Sequence, residues 1–339
     1  MADGSQKPRG KVTIRHVAED AGVSTAAVSK VMRNAYGVSD GLRAKVLKSI
    51  DTLGYRPSTA ARGMRGRTYT IGVLLLEMSN PFLAQVVDGL QAALKDSGYK
   101  LLIGVGRSQA TIERDLVDSM IDMQIDGVVL VAPRLSGEKL APYARQIPLA
   151  VVGHHEPSST AFDTVNSDDA AGARLAVEAL VAKGHRDICM VSHPSLNPKT
   201  DVGATREAGY RRAMEDLGLG DMIRVWYNEG STGRGDGPLE GVLDLSPRPT
   251  AAFVWSDLDG VDLLGAARKR GLRVPEDLAL VSYDNNAMAR LPMVDLSSVD
   301  QHGEEIGCRA AAALLSRLEG RREARHDVVT PHLVLRSSC

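Results

Sequence analysis

The sequence predicts a small all-α, helix-turn-helix head followed by an α/β body of two lobes, each built on a doubly wound parallel sheet. Three observations predict it. Residues 12 to 36 carry apolar residues at helical spacing on two short segments hinged at Gly22, and from Tyr69 onward continuous apolar runs alternate with helical segments in two successive series. The charge is also unevenly divided. Residues 1 to 67 hold thirteen Lys and Arg against five Asp and Glu, net +8, and the remainder holds twenty-eight against thirty-seven, net −9, within a 339-residue total of only −1. A basic head on an acidic body suits a module that meets a polyanion joined to one that does not.

Residues 1 to 10 are polar and basic and are expected to form a disordered tail, with the head spanning 11–57. In the head, Thr13 precedes a helix whose stripe is Ile14, Val17, Ala18 and Ala21, and Gly22 ends it. Ser24 caps a second helix in which Val28, Val31 and Met32 face the first. This turns Thr25, Ala26, Ser29, Lys30 and Arg33 outward, a face of small residues followed by cations that fits a DNA major groove. The spacing alone is equally compatible with an ordinary helical hairpin. Ser39 then caps a third helix with Leu42, Val46, Leu47, Ile50 and Leu53 on its apolar face, Gly54 ends it, and Tyr55 closes the core.

Pro57 breaks the chain, and 58–68 reads as a hinge. Ser58 starts a helix of about two turns that is too short to be stable without a partner. Met64 stands among Arg62, Arg65 and Arg67, an apolar wedge with cations that suits insertion into a minor groove; a flexible basic linker is the simpler reading.

The run TIRHVAEDAGVSTAAVSKVMR followed by GYRPSTAARGMR resembles the DNA-binding head and hinge of the LacI/GalR family of transcription regulators. The resemblance implies that Thr25, Ala26 and Lys30 face base edges, with Ser24 and Ser29 nearer the phosphates. The expected DNA-contacting set is completed by Thr13, Arg33, Tyr55, Ser58, Ala61, Arg62 and Met64. Met64 replaces the family's usual leucine with a more flexible side chain of similar volume.

In the body, 69–339, the runs IGVLLL, KLLIGV, DGVVLVA and PLAVVG read as strands buried on both faces, separated by helices at 81–97, 111–123 and 137–145. A second series has helices at 169–183, 205–217 and 258–270 around DICMVS, TAAFVWS and DLALVSYD. Two such lobes resemble the periplasmic-binding-protein-like core of the same family. The resemblance implies a first lobe of 69–167 plus 300–326 and a second of 168–299 plus 327–339. A ligand then belongs in the cleft beyond the carboxyl ends of the strands.

Position after the strands nominates Ser79, Asn80 and Phe82, His154 and His155, Ser256 and Asp257, and Asp284 and Asn285. Arg206 in TREAGY matches a family arginine that commonly reaches a bound ligand, Asp284 matches the family's GYDN aspartate, and Ser256 falls where sugar-binding members often carry asparagine. The effector set expected is Ser79, Asn80, Phe82, His154, Arg206, Ser256 and Asp284, an arginine fork and an acid acceptor for a polyhydroxylated molecule. Trp255 is read as core packing, and Asp257 as a helix cap. Ser167 and Asp168 replace an aspartate and asparagine pair of the family, and the loop from Asn228 to Ser231 lacks its aromatic residue.

Adjacent His154 and His155 point to opposite faces of a strand, so no metal site is expected there, and Cys189, Cys308 and Cys339 show no ligand spacing. No cofactor is expected. Neither a nucleophile elbow, a zinc-protease motif nor a phosphate loop is present, which argues against catalysis. With no signal-like or membrane-length apolar run, the chain is expected to be cytoplasmic, without a membrane partner. The expectation is a repressor that binds a pseudo-palindromic double-stranded DNA operator as a homodimer, under control of a small-molecule effector read as a carbohydrate. The alternatives are a solute-binding protein or enzyme of the same two-lobed fold, and a regulator with a purine or nucleoside co-repressor.

Overall fold

The computed structural model describes residues 12–32, 35–56, 66–195, 197–228 and 239–339, and divides into compact units at Thr68/Tyr69. In the first unit, α1 (Ile14–Asp20), α2 (Thr25–Met32) and α3 (Asp40–Leu53) enclose Val17, Ala18, Ala21, Val28, Val31 and Val46. Thr13 is extended at the start of α1, and its amide donates to His16 Nδ1 at 3.3 Å. The turn to α2 works because Gly22 takes φ 60°, which lets Val23 N–H reach back to the Ala18 carbonyl at 2.9 Å. Ser24 Oγ accepts from Ala27 N–H at 3.1 Å and caps α2. One expected core residue lies elsewhere: Leu47 is 51% exposed, whereas Ser49 is buried and donates to Val17 O and Asp20 Oδ2. Val46 and Leu47 are neighbours about 100° apart on a helix, so both cannot face one narrow seam.

The second unit contains two six-stranded sheets. The first is ordered β11-β5-β4-β3-β1-β2, with β1 Thr70–Leu75, β2 Lys100–Val105, β3 Gly127–Val131, β4 Leu149–Val152, β5 Asp163–Ser167 and β11 His326–Val329, and every pairing is parallel. The second is ordered β12-β10-β9-β8-β6-β7, with β6 Ile188–Ser192, β7 Arg224–Tyr227, β8 Ala251–Val254, β9 Ala279–Tyr283, β10 Ser297–Asp300 and β12 His332–Val334. Only its β10–β12 pair is antiparallel.

Three of the four first-lobe runs are continuous because both faces are covered; KLLIGV departs from that expectation, since β2 is an edge strand with Leu102 38% and Ile103 44% exposed. Ile71, Val73 and Leu75 pack under α4 (Pro81–Leu94) and α10 (Gly303–Leu318). On the opposite face, Leu74, Val128 and Leu130 pack under α5 (Ala110–Asp122) and α6 (Gly137–Ala144). Helices α4 and α10 meet through glycines: a Cβ at Gly89 would stand 2.0 Å from Glu304 O, and one at Gly307 2.1 Å from Val86 O. In the second lobe, α7 (Asp169–Ala182) and α8 (Val202–Asp216) cover one face and α9 (Asp257–Lys269) the other.

The lobes exchange chain three times. After β5 the chain enters α7, after β10 it returns through α10 to the first lobe, and after β11 it returns to β12. The last return corrects the expected boundary at 326/327: residues 326 to 329 pair with 164 to 167 in the first sheet, so the crossing comes after Val329. β5 has no apolar signature in the sequence, because DTVNS is polar yet wholly buried. No helix among the described residues is long and apolar enough to cross a membrane.

Candidate functional site

In the head, Ser24, Thr25, Ala26 and Lys30 are exposed, as is Thr13, while Ser29 and Tyr55 are half-buried. Val28 and Val31 hold the opposite side of α2 against the core. Among the described residues, α2 therefore presents two small side chains and a cation one turn apart on a single open face, a shape that admits close approach to base edges. Arg33, Ser58, Ala61, Arg62 and Met64 lie outside the described residues, as do 229–231 of the loop noted above.

Between the lobes lies a cavity of about 1090 Å³ at the carboxyl ends of the strands. Of the seven effector candidates, Asn80, Phe82, His154, Arg206 and Asp284 line it. Ser79 is exposed and does not. Ser256 does not line it either and caps α9, its hydroxyl accepting from Asp259 N–H at 3.2 Å and donating to Asp259 Oδ2 at 3.1 Å. Trp255, expected in the core, lines the cavity instead.

The floor is a chain of buried polar groups. Arg206 Nε donates to Asp169 Oδ1 at 2.7 Å, its Nη1 to the Trp255 carbonyl at 2.9 Å, and its Nη2 to Gln301 Oε1 at 3.5 Å. Its guanidinium lies 3.7 Å from the Tyr283 ring centre and 4.8 Å from that of Trp255. Three of its five N–H groups are thus engaged by described residues. Gln301 Nε2 donates onward to Asp284 Oδ1 at 2.6 Å.

The two acids of this chain differ. Burial pushes the Asp169 carboxyl up, but the Arg206 charge and the hydrogen bond of His155 Nε2 at 2.7 Å outweigh it, and the group is held below the usual carboxylate range. Burial also pushes Asp284 up; Arg206, Gln301 and Asn80 pull the other way without prevailing, because Asp257 adds like charge, and the group ends well above that range. Asp284 has φ 108° and Asn285 φ 48°, left-handed conformations that cost energy for residues with a β-carbon and turn the chain sharply after β9.

The first lobe contributes a different wall. Asn80 caps α4 by accepting from Phe82 N–H at 2.9 Å, which sets Phe82 at the cavity edge. Asn166 bonds both backbone groups of His154, at 2.8 and 3.0 Å, and fixes that residue. His154 Nε2 meets Glu156 at 2.8 Å, yet burial holds its pKa below the usual imidazole value. His155 N–H donates to the Thr200 carbonyl at 2.8 Å, which ties the lobes at the rim. Each of the adjacent histidines thus has its own carboxylate.

Sequence reasoning misses Asp169, Asn166, Gln301 and His193. All four stand at or just past the ends of strands, so the rule that nominates His154 and Asp284 reaches His193 after DICMVS and the other three once β5 and β10 are known. Asp257 does not line the cavity; it accepts from Ser282, from Ser298 Oγ at 2.6 Å and from Asn286 N–H at 2.7 Å, binding β9 and β10 to α9.

Residues 13–58 match the bacterial regulatory proteins of the lacI family, and residues 177–339 match a periplasmic binding protein-like domain. The ribose operon repressor of Haemophilus influenzae is 32% identical over 330 residues, 96% of this chain and 98% of the relative. The chain belongs to the LacI family. The transcriptional repressor PurR of Vibrio campbellii is 30% identical over 334 residues, 96% of this chain and 98% of that one. Among solved structures, a complex of the transcriptional regulator CelR with cellobiose shares 28% identity and a TM-score of 0.69, covering 97% of this chain and 100% of that chain. A LacI-family chain is a DNA-binding transcription regulator and not an enzyme, so the catalytic alternative falls away.

Proposed function

We propose that this LacI-family protein is a cytoplasmic repressor that binds a pseudo-palindromic operator as a homodimer and responds to a carbohydrate in the cleft between its lobes. The observation that carries the carbohydrate reading is the buried chain Asp169, Arg206, Gln301 and Asp284, with guanidinium donors and an acid acceptor flanked by Phe82 and Trp255. Hydroxyl groups supply both donors and acceptors to such a floor, and aromatic rings pack on the apolar face of a sugar. The names of the ribose operon repressor and of the cellobiose complex agree with it, and a purine or nucleoside is the rival ligand class.

In this reading Thr25, Ala26 and Lys30 read base edges, and Ser24, Ser29 and Thr13 approach phosphates. Arg33, Tyr55 and the hinge residues Ser58, Ala61, Arg62 and Met64 complete the interface on the strength of the family likeness. Asn80, Phe82, His154, Arg206 and Asp284 contact the effector. Two-fold symmetry places one head on each half-site, and the effector acts by preferring one arrangement of the lobes over another.

A calorimetric panel of monosaccharides, disaccharides, nucleobases and nucleosides tests the ligand. Saturable binding of a sugar supports the reading; binding of a nucleobase with no response to any sugar replaces it with the purine class. For the head, Lys30→Ala should weaken operator binding by about 1 to 3 kcal/mol relative to scrambled DNA. An equal loss on both sequences would reduce Lys30 to a phosphate contact.

A further inference from the structure

We propose that Asp300, His302 and His332 form a binding site for a divalent transition metal of the zinc type, placed where the chain crosses between the lobes. One ligand atom from each of the three lies within 4.8 Å of the other two. Asp300 ends β10 and His332 begins β12, and the two stand directly opposite in the antiparallel ladder. His302 stands just before α10 with φ 58° and ψ 57°, a left-handed backbone that costs energy for a residue with a β-carbon. With that backbone the two imidazoles lie 4.7 Å apart between ring centres, and His332 Nδ1 is 3.0 Å from His302 Nε2.

The histidine pair is close to what an ion requires, while the Asp300 oxygen, within 4.8 Å of the two nitrogens, has to draw in. Two histidine nitrogens at 2.0–2.1 Å from a tetrahedral zinc are about 3.3 Å apart, so the pair has to open by only a few tenths of an ångström. The carboxylate is already oriented: Asp300 Oδ1 accepts from His302 N–H at 2.7 Å and Oδ2 from Asn285 Nδ2 at 2.8 Å, leaving lone pairs on each oxygen. Asn285 is itself fixed, since Arg336 donates to its Oδ1 at 2.6 Å and Arg290 to its backbone carbonyl at 3.0 Å. Histidines 154, 155 and 193 each meet a carboxylate, whereas here two imidazoles face one another. Two imidazoles and a carboxylate are a donor set for Zn²⁺, Cu²⁺ or Ni²⁺ rather than for Mg²⁺ or Ca²⁺.

The position gives the ion a consequence. β10 and β12 belong to the second sheet, while α10, which begins right after His302, packs against the first. Gln301, between two of the ligands, is the cleft residue that joins Arg206 to Asp284. A bound ion therefore brackets the two lobes at their crossover and holds Gln301 in place.

Full-length protein freed of metal with a chelator is titrated with Co²⁺, followed by its visible absorption, and then with Zn²⁺ as competitor. One equivalent of Co²⁺ with the bands of four- or five-coordinate cobalt, displaced by Zn²⁺, is the expected result. His332→Gln, on an edge strand, and His302→Gln should each weaken binding at least tenfold, with Cys339→Ser without effect, and circular dichroism confirms that each variant is folded. The site is refuted if no such bands develop, if the His302→Gln/His332→Gln double variant binds as the parent does, or if a thiolate-to-cobalt charge-transfer band appears that Cys339→Ser removes. In those cases the two rings share only a hydrogen bond.

Discussion

Each lobe buries an aspartate completely, and the two are held in opposite ways. Asp163, at the start of β5, receives Arg317 Nε and Nη2 at 2.8 and 2.9 Å, Arg321 Nη1 and Nη2 at 3.1 and 2.6 Å, and the Arg325 amide at 2.8 Å. Asp257, at the start of α9, receives only neutral donors from Ser282, Ser298 and Asn286. Burial pushes both carboxyls up, but the guanidinium groups reverse that for Asp163, whose pKa falls below the ordinary value, while Asp257 is pushed up to about 6. Neutral hydrogen bonds orient a buried acid; a paired cation is what keeps it charged.

The largest effect should come from the charged site. Asp163→Ala leaves Arg317 and Arg321, whose side chains are only 10% and 11% exposed, without a counter-charge. Removing one partner of a buried ion pair costs about 3 to 5 kcal/mol. The thermal midpoint of the body should fall by on the order of 10 °C. A loss within about 1 kcal/mol, the range of an exposed ion pair, would show that the first-lobe network is solvated and that the contrast with Asp257 is not one of buried charge.

The neutral site sharpens the contrast through pH. Asp257 has its folded pKa raised to about 6 from 3.8, so the stability it contributes is complete below about pH 4 and is lost as the pH rises through about 6. The swing is roughly 3 kcal/mol. Asp163, with a lowered pKa, behaves in reverse: its contribution is present above its unfolded value and is lost on acidification. Asp257→Asn should therefore flatten the decline in urea midpoint between about pH 4 and pH 6.5, whatever the variant's absolute stability. A decline as steep as the parent's would assign it to another group.

The same contrast explains which parts of the molecule are legible in the chain. Runs such as IGVLLL and DGVVLV announce strands because both of their faces are covered by helices, and Gly22 and Gly54 announce helix ends because φ is positive there. DTVNS gives no such signal: Asp163 is buried by three arginines from residues 317 to 325, more than 150 positions away, so its polarity hides a strand. Motif likeness finds Arg206 and Asp284, but the acid that meets Arg206 is Asp169, one residue beyond the pair to which the likeness points. Ser79 and Ser256 are nominated for lying after strands; whether such a residue faces the cavity or caps a helix depends on the turn, as Ser256 shows. Leu47 and Ser49 differ by half a turn of one helix, a distinction that apolar spacing alone does not draw.

Inside the cleft the contrast recurs between Asp169 and Asp284, and the smallest effect is expected at Asp284. Asp169 is kept charged by Arg206, and Asp169→Asn should destabilise the body by about 3 kcal/mol, since Arg206 is 4% exposed and loses its counter-ion. Asp284 lies well above the usual range, so an amide resembles the protonated acid in shape and charge, and Asp284→Asn should cost less than about 1 kcal/mol. If an effector hydroxyl donates to Asp284, binding favours the ionised form and expels a proton. The calorimetric enthalpy should then vary with the ionisation enthalpy of the buffer, in the direction of proton release, and Asp284→Asn should abolish that dependence. Buffer-independent heats in the parent would mean that Asp284 keeps its proton and serves the ligand as a donor.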